Sequence, residues 1–233
     1  MSGQCVILVG GLGTRLGAMA RDVPKPLLQV RDRPFLEWLL IKARGHGFDR
    51  VLLLAGHQVQ VLDDWLGDSG VAEELGLAIT VSREAAPLGT AGALVHARAL
   101  LDDTFLLLNG DTWFDFDWSA LTLSDDADAA MALRAVSPAD RYETIVLMGR
   151  RVAVIRPRDA SLKQGLINAG VYRLRASALD GITTLPASLE ARVLPALAQV
   201  RRLEGLVFDG AFIDIGVPES FEAAQSMTLG AAR

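Results

Sequence analysis

The sequence predicts an α/β fold whose mixed, mainly parallel sheet is covered by helices on both faces. Short continuous apolar runs, typical of buried parallel strands, occur at 5–9, 51–55 and 105–109, and a less continuous run occurs at 78–82. Segments with helical spacing of apolar residues lie between these runs, at 34–47, 59–67 and 90–101. Because strands alternate with helices at this spacing, right-handed crossover connections are expected.

The second half of the chain is expected to extend the same sheet with mixed strand directions. The candidate elements are strands within 128–136, 151–155, 166–174 and 203–216 and a final helix at 218–227. An irregular, more polar stretch is expected near 137–165. The length of 233 residues and the lack of an internal repeat favour one continuous domain.

Composition excludes several classes of protein. A hydrophobic fraction of 51% with 22% charged residues excludes intrinsic disorder, and a net charge of −5 argues against nucleic acid as a partner. No apolar stretch approaches the roughly 20 residues that span a bilayer, and no basic residue precedes the first apolar run as in a signal peptide. The single cysteine, Cys5, cannot form an internal disulfide, so a cytoplasmic protein without membrane contact is expected. The oligomeric state stays open, with a homo-oligomer as one option.

The glycine-rich segment 10–26 follows the first predicted strand, where ligands bind in open α/β sheets. It is not a dinucleotide fingerprint, because Leu16 stands where G-x-G-x-x-G needs its third glycine. It is not a Walker phosphate loop either, because the chain contains no Gly-Lys pair. What remains is a flexible turn whose backbone N–H groups can face an anion.

Two basic residues in this segment suit phosphate chemistry. Arg15 offers a planar fork that bridges oxygens, and Lys25, between two prolines, offers a compact point charge. Of the 23 basic residues only three are lysines, which makes the placement of Lys25 informative. The plainer alternative is a strand-to-helix turn with a solvated base.

Two aspartates are candidate ligands for a hard divalent cation, which screens the charge of a triphosphate. Asp111 directly follows an apolar strand, and Asp214 lies within the apolar stretch FIDIG, where an unpaired carboxylate is costly to bury. The alternatives are a turn residue at Asp111 and a buried ion pair with an arginine at Asp214.

Together with the motifs given below, these basic and acidic residues make the chain resemble the sugar-1-phosphate nucleotidylyltransferases. The resemblance is carried along the whole chain by GGLGTRL with PKP (10–26), PLGTAGAL (87–94), LLNGDTWFD (107–115), INAGVY (167–172) and FIDIGVPESF (212–221). Within that family it is most similar to the D-glycero-D-manno-heptose 1-phosphate guanylyltransferases, through DRYETI (140–145), KQGLINAGVY (163–172) and FIDIGVPE (212–219).

The resemblance implies a Rossmann-like fold of the nucleotide-diphospho-sugar transferase type. It implies that about 1–136 bind nucleotide and about 137–233 bind sugar phosphate. It implies transfer of GMP from GTP to D-glycero-α-D-manno-heptose 1-phosphate by direct in-line displacement, with pyrophosphate released and Mg²⁺ as cofactor. A role in surface polysaccharide synthesis, for capsule or lipopolysaccharide, is inferred from the product.

The resemblance also assigns residues. The catalytic set is Arg15, Lys25 and Asp111, and the Mg²⁺ ligands are Asp111 and Asp214. The nucleotide set is Gly10, Gly11, Gly13, Thr14, Arg15, Pro87, Gly89 and Thr90. Gly89 is expected to let the base approach the backbone and Thr90 to cap the next helix. The sugar-phosphate set is Asn168, Gly170, Lys163 and Tyr142.

Several points stay open within the resemblance. Lys163 or Arg158 supplies the second phosphate contact, and Tyr142 is either sugar-facing or a core aromatic. Glu143 stands where close heptose-specific relatives tend to have glycine. Mannose 1-phosphate with GTP, or an N-acetylated sugar phosphate with UTP, are alternative substrates, and a nucleotide-sensing subunit is a further alternative.

Overall fold

The computed structural model describes residues 3–11 and 13–230, without the side chain of Ala18. The strands are β1 Gln4–Leu8, β2 Gln29–Val30, β3 Arg33–Pro34, β4 Arg50–Ala55, β5 Ala78–Arg83, β6 Thr104–Asn109, β7 Thr112–Phe114, β8 Ala129–Val136, β9 Thr144–Met148, β10 Arg151–Arg156, β11 Gly165–Arg175, β12 Leu203–Val207 and β13 Phe212–Asp214. The α-helices are α1 Phe35–Gly45, α2 Val59–Ser69, α3 Val71–Leu75, α4 Gly89–His96, α5 Leu194–Gln199 and α6 Pro218–Ser226.

The first half of the chain forms the parallel part of the sheet. The strand order begins β5-β4-β1-β6, and all three pairings are parallel, as the continuous apolar runs predict. The crossover helices lie between consecutive strands, so the carboxyl ends of β1, β4, β5 and β6 meet at one edge.

The strands of the second half make the sheet contain more antiparallel pairs than the predicted, mainly parallel sheet. The order continues β11-β8-β12-β10-β9, and of these strands only β8 and β12 pair in parallel. β10 confirms the strand expected at 151–155, whereas β9 lies in a stretch that was expected to be irregular. The two form an antiparallel hairpin, because only two residues join them. β9 also pairs with the first residues of β11, so these five strands form a closed circuit of pairings.

Both faces of the large sheet are covered, as predicted. One core contains residues of α1, α2 and α6, and the other contains residues of α4 and α5. None of the helices among residues 3–11 and 13–230 is long and apolar enough to cross a membrane.

Lys42 occupies an unusual position in the first core. It falls within the helix expected at 34–47, and the structure buries its side chain completely. Its Nζ donates to Asp115 Oδ1 at 2.7 Å and lies 4.8 Å from the centre of the Trp113 ring. The ion pair and the ring together compensate for the loss of water around the ammonium.

Candidate active site

A cavity of about 330 Å³ opens at the carboxyl edge of the parallel strands. The predicted residues that line it are Gly10, Gly11, Lys25, Pro87, Gly89, Thr90 and Asp111. These residues come from three separate segments, which the topology brings together because each segment follows a parallel strand of the same sheet.

Lys25 and Asp111 form an ion pair on the wall of this cavity. The ammonium of Lys25 donates to Asp111 Oδ2, and the lysine side chain is nearly buried. Asp111 Oδ1 accepts a hydrogen bond from the Thr112 hydroxyl at 3.0 Å. Pro24 precedes the short 3₁₀ turn Lys25–Leu27 and Pro26 lies within it, which fixes the backbone from which the ammonium projects.

Asp214 lies beside Asp111 because β13 pairs with β7. In this antiparallel pair Asp214 is opposite Thr112, and Ile215 N donates to the Asp111 carbonyl at 2.8 Å. The carboxylate of Asp214 accepts hydrogen bonds at 3.1 Å from Gly216 N and at 3.2 Å from the Tyr142 hydroxyl. The sequence alternative of an ion pair with an arginine is not observed within the described part of the chain.

Arg15 joins the same cluster, although it does not line the cavity itself. A Cβ built on the buried Gly216 would lie 2.6 Å from Asp214 Oδ1, 3.3 Å from Arg15 Nη2 and 3.4 Å from Lys25 Nζ. The guanidinium, the ammonium and the Asp214 carboxylate therefore converge on one point. Two cations between two carboxylates can hold a polyphosphate and balance charge that moves during reaction.

The donor set fits Mg²⁺. This ion is commonly held by one or two carboxylates, with substrate phosphates and waters completing an octahedron. Asp111 directly precedes β7 and Asp214 ends its partner β13, so the two carboxylates meet that requirement. Among the described residues no group of three or more His, Cys, Asp and Glu side chains could hold a metal, so a full protein cage is not present there.

Tyr142 contacts the cluster rather than the core. Burial, followed by the charge of Asp214, raises the pKa of the Tyr142 hydroxyl, so it stays protonated and donates. Tyr142 is predicted to contact the sugar, and the structure shows that it also contacts Asp214, a candidate metal ligand.

The expectation that Thr90 caps α4 is wrong. The helix begins at Gly89, and the Ala187 carbonyl accepts from Ala91 N at 2.9 Å and from Gly92 N at 3.1 Å. Gly89 has φ of +77°, and a Cβ there would lie 2.5 Å from the Ala187 oxygen. The close approach of Ala187 therefore requires the glycine, whether or not a base also approaches it.

Two carboxylates on the cavity wall were missed by the sequence reasoning. Glu84 directly follows β5, and its Oε2 accepts from Leu88 N at 2.9 Å. Glu190 comes from the turn before α5, and its Oε2 accepts from the Thr90 hydroxyl at 2.7 Å. Position after a predicted strand, the rule that identified Asp111, could have identified Glu84. Glu190 carries no comparable signal.

Asn168 and Gly170 shape β11 rather than line the cavity. Asn168 Oδ1 accepts from Gly170 N at 3.1 Å, and its Nδ2 donates to the Tyr172 hydroxyl at 2.8 Å. The pairing of β11 with β8 shifts register between 168 and 172, and Gly170 has φ of +71°. The bulge brings Gly170 against Asn109, which does line the cavity.

The remaining predicted residues lie outside the cavity lining. Gly13 and Thr14 continue the glycine-rich loop, with Thr14 exposed at the start of a 3₁₀ segment. The Lys163 side chain is exposed, and its carbonyl accepts from the Ser137 hydroxyl at 3.0 Å.

Comparison with known proteins agrees with this geometry. A nucleotidyl transferase family profile matches residues 4–230. A D-glycero-alpha-D-manno-heptose 1-phosphate guanylyltransferase of Campylobacter jejuni is 34% identical over 94% of this chain and 96% of that protein. A probable mannose-1-phosphate guanylyltransferase of Oryza sativa is 32% identical over 99% of this chain and 66% of its own length. HddC from Yersinia pseudotuberculosis, also solved complexed with GMP-PN, is 29% identical with a TM-score of 0.83, covering 96% of this chain and 98% of that one.

These matches confirm the resemblance and the fold class expected from the loop motifs. The profile covers nearly the whole chain, and it includes every residue assigned to the site. The chain is therefore an enzyme of the nucleotidyl transferase family.

Proposed function

We propose that the protein transfers GMP from GTP to D-glycero-α-D-manno-heptose 1-phosphate, giving GDP-heptose and pyrophosphate. The convergence of Arg15, Lys25, Asp111 and Asp214 beside the cavity carries this proposal, because a phosphate-transfer centre needs such charges. The guanylyltransferase relatives and the GMP-PN complex of HddC support the guanine nucleotide. The part up to about residue 136 would bind nucleotide, and the remainder would bind sugar phosphate.

The reaction needs positioning and charge stabilisation more than acid or base chemistry. The sugar phosphate arrives ionised, so its oxygen attacks the α-phosphorus of GTP without a general base. Arg15 steadies the leaving pyrophosphate, and Lys25 neutralises charge near the α-phosphate. Asp111 and Asp214 would hold Mg²⁺, which supplies charge screening of the triphosphate when bound.

Glu84 favours guanine over uracil in this proposal. Its carboxylate lines the cavity and is anchored through Oε2, and guanine presents two adjacent donors to a carboxylate, N1–H and the 2-amino group. Uracil presents one N–H between two carbonyl oxygens, which a carboxylate would repel. The base preference therefore follows from the sign of the charge at Glu84.

The sugar is assigned from the relatives rather than from the cavity. The heptose enzyme of Campylobacter jejuni matches over almost its full length, whereas the mannose enzyme of Oryza sativa has a further third that this chain does not span. A manno ring is common to both sugars, so mannose 1-phosphate is the second candidate. The product suits synthesis of a surface polysaccharide such as capsule or lipopolysaccharide.

The test is a matrix of nucleoside triphosphates against sugar 1-phosphates, read as pyrophosphate release with and without Mg²⁺. The expected result is the highest kcat/KM for GTP with the heptose phosphate, and no turnover after metal removal. Activity confined to UTP would overturn the assignment of guanine. The absence of pyrophosphate release with every pair of substrates would favour a nucleotide-sensing protein.

Variants connect the measured activity to the cluster. Asp111→Asn and Lys25→Ala should each lower kcat by about 100-fold or more, because each removes charge that acts on the reacting phosphates. Asp68→Asn, an exposed aspartate on α2, is the matched control and should retain full activity. Near-normal pyrophosphate release from either cluster variant would contradict the assigned centre.

A further inference from the structure

Glu190 has no role in the reaction described above, yet its carboxylate is fixed on the cavity wall. Thr90 donates to Glu190 Oε2 at 2.7 Å and Ser188 donates to the same oxygen at 2.9 Å. Leu189 N donates to the Thr90 oxygen at 2.7 Å, so the Thr90 hydroxyl proton is directed at the carboxylate. The carboxylate is therefore held by two hydroxyl groups through one oxygen.

The other oxygen, Oε1, is available to a ligand. No hydrogen bond or ion pair from residues 3–11 or 13–230 reaches it, and it is not among the buried polar atoms that lack a partner. An anchored carboxylate on a cavity wall with one unpaired oxygen is a preorganised acceptor, because little side-chain freedom is lost on binding.

The charge of this carboxylate decides what it can bind. Both substrates of the proposed reaction carry phosphates, and a carboxylate without an adjacent cation repels phosphate oxygens. Glu190 must therefore face a neutral donor, and the neutral donors on these substrates are the base, the ribose hydroxyls and the sugar hydroxyls.

Position distinguishes among these donors. Glu84 follows β5 at one edge of the sheet, whereas Glu190 lies near Tyr172 of β11, whose pKa is raised by burial and then by the Glu190 charge. β11 belongs to the part of the chain assigned to the sugar phosphate. Glu190 itself also belongs to that part, whereas Glu84 belongs to the part assigned to the nucleotide, although the two carboxylates are anchored only two residues apart, at Thr90 and Leu88.

We propose that Glu190 Oε1 accepts a hydrogen bond from a ring hydroxyl of the sugar 1-phosphate and thereby contributes to sugar selection. The proposal rests on the proposed function, since it requires a sugar phosphate as the second substrate. The ribose hydroxyls of GTP could donate the same hydrogen bond, so the experiment distinguishes a sugar hydroxyl from a ribose hydroxyl.

Glu190→Gln is the decisive variant. The amide oxygen can still accept from Thr90 and Ser188, which preserves the anchor, while the cavity receives an N–H donor in place of an acceptor. We expect KM for mannose 1-phosphate or the heptose phosphate to rise about 10- to 100-fold, with KM for GTP and Tm unchanged. Glu73→Gln, an exposed glutamate on α3, is the matched control and should change neither KM.

Deoxy substrates identify the hydroxyl. With the native enzyme, one of the monodeoxy mannose 1-phosphates should show a raised KM, and Glu190→Gln should abolish that difference. A raised KM for GTP alone, with reduced discrimination against 2′-deoxy-GTP or 3′-deoxy-GTP, would place Glu190 at the ribose and overturn the proposal. Unchanged KM values for both substrates would also overturn it. These outcomes require an active native enzyme, so they are distinct from failure of the proposed function.

Discussion

Replacing Gly216 with alanine tests the charged cluster without removing any of its members. Gly216 is buried and does not have a positive φ, so alanine imposes no left-handed backbone strain. Its new Cβ would lie 2.6 Å from Asp214 Oδ1 and 3.3 Å from Arg15 Nη2. The substitution therefore moves the functional atoms while leaving all the charges present.

The size of the effect follows from these distances. Ordinary van der Waals contact begins at 3.4 Å, so the Asp214 oxygen must move by roughly 0.8 Å. A misplacement of about 1 Å in a catalytic group costs about 100-fold in rate. We expect kcat to fall about 10- to 100-fold, with the free energy of unfolding changed by less than about 1 kcal/mol.

The assay compares steady-state pyrophosphate release with thermal unfolding for two glycine-to-alanine variants. Gly181→Ala is the control, because a Cβ there has no neighbour within 4 Å and its φ is not positive. It should match the native enzyme in both measurements. Native kcat in Gly216→Ala would refute the argument that Arg15, Lys25 and Asp214 act at one point.

Three further predictions concern buried polar groups. Asp115→Asn should destabilise the fold by about 3 kcal/mol in chemical denaturation, because it removes the negative charge that balances the fully buried Lys42 ammonium. Lys42→Met should cost less than about 1 kcal/mol, since the Asp115 side chain left behind is 48% exposed. Equal losses for both variants would contradict this reasoning. Tyr142→Phe should raise the Mg²⁺ concentration that gives half-maximal rate about tenfold, with Tm unchanged, because it removes the hydroxyl that orients Asp214. An unchanged Mg²⁺ titration would show that Tyr142 does not orient a metal ligand. Burial, then the nearby Lys42 charge, lowers the pKa of His46 below its ordinary 6.5, so the neutral imidazole contributes stability above that value and the contribution is lost as pH falls below it. His46→Gln should flatten the decline of the free energy of unfolding between about pH 7 and about pH 5.5. An unaltered slope of stability against pH would disprove this prediction.

The parallel half of the fold could be predicted because its signals are local. Each buried strand is a continuous apolar run, and the following loop must lie at the carboxyl edge of the sheet. That rule identified the glycine-rich loop, Lys25 and Asp111 from the sequence. The strand expected at 151–155 is present as β10, but its partner β9 was missed, because β9 is a run of five residues of which only the first two are buried.

Contacts between distant segments could not be predicted in the same way. Glu190 lies 100 positions from Thr90, and Tyr142 lies 72 positions from Asp214, yet each pair is hydrogen-bonded. Such pairs have no periodicity or spacing that marks them. Thr90 illustrates the consequence, since a local rule suggested a helix cap while a distant carboxylate takes its hydroxyl.

The sequence by itself determined the fold class and the resemblance to sugar-1-phosphate nucleotidylyltransferases, and it predicted Arg15, Lys25, Asp111 and Asp214 as the charged residues of the site. Those conclusions need only local pattern and residue chemistry. The tertiary structure alone decided that Arg15, Lys25 and Asp214 meet at Gly216, and that Glu84 and Glu190 face the cavity. The physical reason is that the direction of a side chain depends on packing between segments far apart in the chain, which no local pattern encodes.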